Sequence, residues 1–154
     1  MAGEGMLTSG TQREHGSGPA VGRIAPARVL VVDDHPANRR AIGLILAPLG
    51  VMLETAESAE DALERLAFER FDVVLMDVYM PDMDGREATR RLRGADGPNR
   101  ATPVIAITAS DTARDWEACR EAGMTGQVAK PVEPARLYAA LEAALADAAA
   151  RAAA

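Results

Sequence analysis

A chain of 154 residues predicts one domain, or one domain with tails. Lys and Arg number 17 against 23 Asp and Glu, and the resulting charge of −6 argues against a dedicated DNA-binding protein. A lone Cys119 excludes an internal disulfide or a cysteine-built zinc site; no apolar run reaches the roughly 18 residues of a membrane span, and five aromatics are too few for base-stacking platforms.

Residues 1–26 scatter six Gly and two Pro among polar side chains without apolar periodicity, which predicts a flexible tail. Glu4, Arg13, Glu14 and His15 leave no room there for the apolar stretch of a signal peptide. The expected setting is therefore soluble, reducing and cytoplasmic. The next run, Val29–Val32, is short, continuous and β-branched, as a strand buried on both faces would be. After it, Ile42, Ile45, Leu46 and Leu49 follow helical spacing, with Pro36 near the start and Gly50 past the end. Pro48 lacks an N–H and crowds the carbonyl four residues back, so a distorted last turn is expected.

A weak strand at Val51–Leu53 leads to Ser58, a predicted N-cap for a helix with Ala59, Ala62, Leu63, Leu66 and Ala67 on one stripe. Strands at Val73–Met76 and Val104–Ile107, a weaker one at Gln127–Ala129, and helices near 84–93, 111–122 and 133–150 complete the series. Beyond residue 147 an Ala-rich stretch (148–154) extends the last helix. Strand–helix alternation with short connections predicts an α/β fold, with right-handed crossovers and helices on both faces.

In open parallel sheets, sites form at the carboxyl ends of the strands. Here the first strand runs into Asp33-Asp34, the third into Asp77, the fourth into Thr108 and the fifth into Lys130. Each has a bland alternative: Asp34 ahead of Pro36 can cap a helix, Thr108 can be an ordinary strand residue, and Lys130 can be a solvated turn lysine. Their convergence on one edge is the informative feature. Carboxylates 4 Å apart repel by about 4 kcal/mol per pair at an effective dielectric near 20, so the cluster calls for a cation. All-oxygen ligands favour Mg²⁺. A metal beside a carboxylate, faced by a lysine and a hydroxyl, suits phosphoryl transfer, with Asp77 on the central strand as nucleophile.

The stretches VLVVDDHPANR (29–39), VVLMDVYMPDMDG (73–85), TPVIAITAS (102–110) and AGMTGQVAKP (122–131) resemble the receiver domain of two-component response regulators. The resemblance spans about residues 28–147, and TASDTARDWEACREAGM is similar to receivers attached to hybrid histidine kinases. It implies a receiver domain over 27–147 with a doubly wound, flavodoxin-like five-stranded parallel sheet of order 2-1-3-4-5. It also implies that Asp77 accepts a phosphoryl group from a histidine kinase or phosphotransfer protein. Mg²⁺ would be bound by Asp34, Asp77 and the Tyr79 backbone carbonyl, with Asp33 acting through water. Lys130 would pair with the phosphoryl oxygens and Thr108 would swing to meet them. The Lys130–Pro131 bond is expected to be cis, and Ser110 falls among the switch positions.

Two positions depart from the family pattern. Gln127 stands three residues before the site lysine, where an aromatic is common, so switching is expected to rely on Thr108 with the loop and helix after it. Tyr79, two residues past Asp77, is placed to shield an acyl phosphate from water. Arg86, Arg90, Arg91 and Arg93 read as a solvated basic face, with a docking surface for an acidic partner as the alternative; Trp116 reads as packing, or else as an anchor on the interaction face; Cys119 reads as a small core residue, and His15 and His35 as too remote to be ligands. The implied role is non-enzymatic apart from the domain's own phosphorylation and dephosphorylation. Output then goes through protein contacts, to a downstream protein target or a homodimer, with no direct nucleic-acid or membrane contact. The chain would be a stand-alone regulator, a phosphorelay intermediate, or a receiver excised from a hybrid kinase. A small-molecule Mg²⁺-dependent phosphotransferase is a more distant alternative. Enzymes of the haloacid dehalogenase type need a carboxylate two residues after the nucleophile, and here Tyr79 occupies that position. A nucleotide binder lacks G-x-G-x-x-G after the first strand.

Overall fold

Five short strands carry the architecture, and the computed structural model describes them within residues 26–152. The predicted 1–26 tail and His15 therefore lie almost wholly outside the described residues. In chain order the elements are β1 (Arg28–Val32), α1 (Pro36–Leu46), a 3₁₀ turn (Ala47–Leu49), β2 (Met52–Ala56), α2 (Ala59–Phe68) and β3 (Val73–Asp77). There follow α3 (Gly85–Gly94), β4 (Val104–Thr108), α4 (Ala113–Glu121), β5 (Gly126–Ala129) and α5 (Pro134–Ala152). All pairings are parallel and the strand order is β2-β1-β3-β4-β5.

Alternation along each strand splits the core into two layers. Leu30, Val32, Val74, Met76, Val104 and Ala106 face α2, α3 and α4, meeting Ala62, Leu66, Ala88, Leu92 and Cys119. Val29, Val31, Val73, Leu75, Ile105 and Ile107 face α1 and α5, meeting Ile42, Leu46, Leu137 and Leu141. Burial on both faces explains the uninterrupted apolar runs of β1, β3 and β4. Each Leu or Ile so enclosed contributes about 1.5–3 kcal/mol. Trp116 packs half-buried against the first layer, and Cys119 is buried within it.

Local signals read from the sequence have physical counterparts. Pro48 converts the end of α1 into the 3₁₀ turn, and Gly50 takes φ 68° immediately after it. Ser58 Oγ accepts the Asp61 amide hydrogen at 3.1 Å, capping α2. The Lys130–Pro131 bond is cis. The weak second strand is longer than expected and reaches Ala56. It lies at the sheet edge, where Glu54 and Thr55 break the apolar run while still making ladder bonds. The basic face needs correction too. Arg93 is half-buried and donates to the carbonyls of Gly123 (2.9 Å), Arg100 (2.9 Å) and Thr102 (2.7 Å), tying α3 to the loops around β4. Arg90 and Arg91 are the solvated members, both paired with Glu87.

Candidate functional site

Strand order reverses between β1 and β3, so the crossover helices leave in opposite directions and open a crevice at the carboxyl ends of these strands. Asp33 and Asp34 follow β1 directly, and Asp77 is the last residue of β3. Thr108 ends β4, and Lys130 comes one residue after β5. The five residues expected to converge therefore do so.

Lys130 holds the centre. Its Nζ lies 3.2 Å from Asp77 Oδ1 and 3.6 Å from Asp33 Oδ2. Asp77 Oδ1 also accepts the Tyr79 amide hydrogen at 3.3 Å. Burial pushes the Asp77 carboxyl above its ordinary range, Asp33 pushes it further, and Lys130 partly opposes both. Asp33 is buried at 1% exposure, and its Oδ1 accepts the amide hydrogen of His35 at 2.9 Å. Arg39 donates to its backbone carbonyl at 2.7 Å. The capping alternative for Asp34 fails, because the residue at the start of α1 is His35 and no side chain caps that helix.

Two oxygens in this crevice, Asp33 Oδ2 and Asp34 Oδ1, are buried without a hydrogen-bond donor. Orphaned carboxylate oxygens are costly, and a cation is the natural partner for them. One ligand atom from each of Asp33, Asp34, His35 and Asp77 falls within 4.8 Å of the others. His35 thus sits with the cluster, contrary to the expectation that it lies too far away. Its Nδ1 lies 3.1 Å from Asp34 Oδ1, with the His35 backbone extended at the entry to α1. The donor set of three carboxylates fits a hard divalent ion such as Mg²⁺.

Around this centre, Thr108 Oγ1 accepts the Ser110 amide hydrogen at 3.2 Å, and the Ser110 hydroxyl donates to Asp115 Oδ2. Tyr79 is half exposed at the rim, with the Arg86 guanidinium 5.7 Å from its ring centre. Gln127 lies on β5, half-buried, with its Oε1 lacking a donor. Sequence reasoning missed Gly85, where a Cβ would come within 2.3 Å of the Asp77 carbonyl oxygen. Only a glycine allows α3 to start so close to the acidic residue. The DG pair after Pro81 was the available signal.

Comparison with known proteins agrees with this fold. Residues 29–142 match the response regulator receiver domain family. The chain is 43% identical over 104 residues to the sensor histidine kinase RcsC of Escherichia coli K12, covering 68% of this chain and 11% of that protein. It is 42% identical over 110 residues to the signal transduction histidine-protein kinase BarA of Shigella flexneri, covering 71% and 12%. The chain thus spans about a ninth of the length of these relatives. Among solved structures, the receiver domain of the sensor histidine kinase PA1611 from Pseudomonas aeruginosa, with a magnesium ion in its active-site cleft, superposes with TM-score 0.72. It is 34% identical and covers 79% of this chain and 99% of that one. The chemotaxis protein CheY4 of Vibrio cholerae gives TM-score 0.73 at 32% identity over 79% of this chain and all of that one. By fold and by sequence, this chain belongs to the response regulator receiver domain family and is a receiver domain of two-component signalling.

Proposed function

We propose that this receiver takes a phosphoryl group onto Asp77 from a phosphohistidine of a histidine kinase or phosphotransfer protein, and signals through protein contacts. The observation that carries the reading is Lys130 Nζ set between Asp77 and Asp33 while two neighbouring carboxylate oxygens lack donors. The donors that reach Asp77 fall on Oδ1, which leaves Oδ2 to attack phosphorus. The P–N bond breaks, the donor imidazole keeps its electron pair, and an acyl phosphate forms on Asp77. Asp34, Asp77 and the Tyr79 carbonyl would hold Mg²⁺, with Asp33 acting through water. When bound, the ion neutralises charge on the transferring group.

The protein's own residues do the rest. Lys130 pairs with a phosphoryl oxygen and fixes the attack geometry. Thr108 exchanges its bond from the Ser110 amide for one to the phosphate, drawing the 109–112 loop and α4 with it. Gln127 is not needed for this step, so Gln127→Ala retains the phosphorylation-dependent change in partner affinity. Phosphorylation and hydrolysis at Asp77 are the only reactions assigned, within a domain spanning 27–147 and extended by the end of α5.

A cytoplasmic setting belongs to the same reading. No helix among the described residues is long and apolar enough to cross a membrane. A second reading, a receiver working as a module of a hybrid histidine kinase, is favoured by the kinases it resembles. Incubation with acetyl phosphate and Mg²⁺, followed by intact mass measurement, tests the chemistry. Wild type should gain one phosphoryl group and Asp77→Asn none. Labelling elsewhere, or no labelling from any donor, overturns the proposal. Size-exclusion chromatography with and without beryllofluoride then shows whether the mark makes or breaks a dimer.

A further inference from the structure

His35 is the one member of the acidic crevice that the phosphoryl chemistry above does not use. Its Nδ1 lies 3.1 Å from Asp34 Oδ1 and 3.6 Å from Asp33 Oδ1. Despite the first distance, Asp34 Oδ1 has no hydrogen-bond donor. The imidazole nitrogen and the carboxylate oxygen are therefore close neighbours in the crevice. Adjacent ligands of an octahedral or tetrahedral ion with bonds of about 2.1 Å stand about 3.0–3.4 Å apart. That is the separation seen here.

The second observation is independent of the histidine. Asp33, 1% exposed, carries Oδ2 in the same crevice with no hydrogen-bond donor and with Lys130 Nζ at 3.6 Å. A buried, under-satisfied carboxylate oxygen marks a place where a cation lowers the free energy. Asp33, Asp34, His35 and Asp77 each offer one atom within 4.8 Å of the rest, so the four side chains border one space for an ion, Asp33 reaching it through water.

We propose that His35 is a metal-specificity residue: its Nδ1 adds a nitrogen donor to the carboxylate site, so that it binds imidazole-seeking dications such as Ni²⁺ and Zn²⁺ more tightly than Mg²⁺. The inference rests on reading this crevice as a cation site. Its chemistry is a difference in ligand preference. Mg²⁺ prefers oxygen and gives up water reluctantly, whereas first-row transition ions bind imidazole well and follow the Irving–Williams order. His35 therefore leaves Mg²⁺ affinity almost unaltered and raises that for the later metals. The ring is two-thirds exposed, which lets it move onto an ion without repacking the core. A site so equipped responds to two metal classes, and competition from Ni²⁺ or Zn²⁺ displaces the Mg²⁺ that supports phosphoryl transfer.

Isothermal titration calorimetry of the untagged full chain with MgCl₂ and NiCl₂ tests this, using wild type, His35→Ala, Asp34→Asn and a His15→Ala control. The result expected is a loss of Ni²⁺ affinity in His35→Ala of roughly tenfold or more, the scale seen when even outer-shell partners of a metal are removed. Mg²⁺ affinity should stay within twofold, His15→Ala should match wild type, and Asp34→Asn should lose both ions. Equal Ni²⁺ affinity in wild type and His35→Ala overturns the inference while leaving the Mg²⁺ site intact. Failure of wild type to bind Mg²⁺ overturns the cation reading itself. Circular dichroism of each variant confirms that a lost affinity is not a lost fold.

Discussion

The two ends of one sheet treat polar groups in opposite ways. At the amino ends of the strands, Arg28 bonds Glu54 at 2.8 Å, Glu69 at 3.2 Å and the Arg70 carbonyl at 3.1 Å, and lies over the Phe71 ring at 4.5 Å. Its backbone amide donates to Asp72 at 2.7 Å. Asn99, fully buried beside it, uses both ends of its amide. It donates to Leu66 and Glu69 carbonyls at 2.6 Å and accepts from the Phe71 amide at 2.8 Å and the Thr102 hydroxyl at 3.0 Å. At the carboxyl ends, Asp33 and Asp77 face one lysine with Asp34 beside them, and two of the carboxylate oxygens lack hydrogen-bond donors. Fully satisfied polar groups hold a structure in one arrangement; groups left short of partners are available to bind something. Stability and function are thus separated along about five residues of strand.

This contrast can be broken from the stable end first. Asn99→Leu strands the Phe71 amide and two carbonyls in a buried setting, at about 3 kcal/mol or more. A urea-denaturation midpoint should fall accordingly, while the Mg²⁺ affinity of the folded protein stays the same. Gly85→Ala strikes the boundary between the two ends. Its methyl group meets the Asp77 carbonyl, so a loss of about 3 kcal/mol, near the top of the overpacking range, is expected. Acetyl-phosphate labelling should fall with it, since Asp77 must shift.

Asp77→Asn should act in the opposite sense. Burial and Asp33 raise the Asp77 carboxyl above its unfolded range, so its ionised form costs stability at neutral pH. The folded state then holds the proton more tightly, and acidification through the raised folded value removes the cost. In metal-free buffer at pH 7, Asp77→Asn should melt at a higher temperature than wild type. The gain should shrink as pH falls, and an increase instead would contradict the sign. The smallest effect concerns kinetics alone. Tyr79→Asn should change the phosphoryl half-life several-fold, measured by loss of label, with melting temperature unaltered. An identical half-life would remove Tyr79 from the path of water.

Local chemistry accounts for how much was legible in advance. Val29–Val32, Val73–Met76 and Val104–Ile107 had to be buried on both faces, which already implied a parallel sheet with helices on either side. The polar residue ending each run had nowhere to go but the same edge. Glu54 and Thr55 hid the length of β2, because an edge strand does not need apolar residues throughout. Arg93 looked like its neighbours Arg90 and Arg91, since helical spacing cannot show that Gly123 and Thr102 would wait beneath it.

From its own residues, the chain determined which side chains would gather at the carboxyl edge and what chemistry they favour. Hydrophobic period and strand length act over a few neighbours and are written locally. Only the tertiary structure decided how the gathered groups face one another: Lys130 between Asp77 and Asp33, His35 beside Asp34, and Gly85 pressed against the Asp77 carbonyl. Those relations join residues up to 97 positions apart, from Asp33 to Lys130. They depend on angles and close approaches that no local pattern encodes.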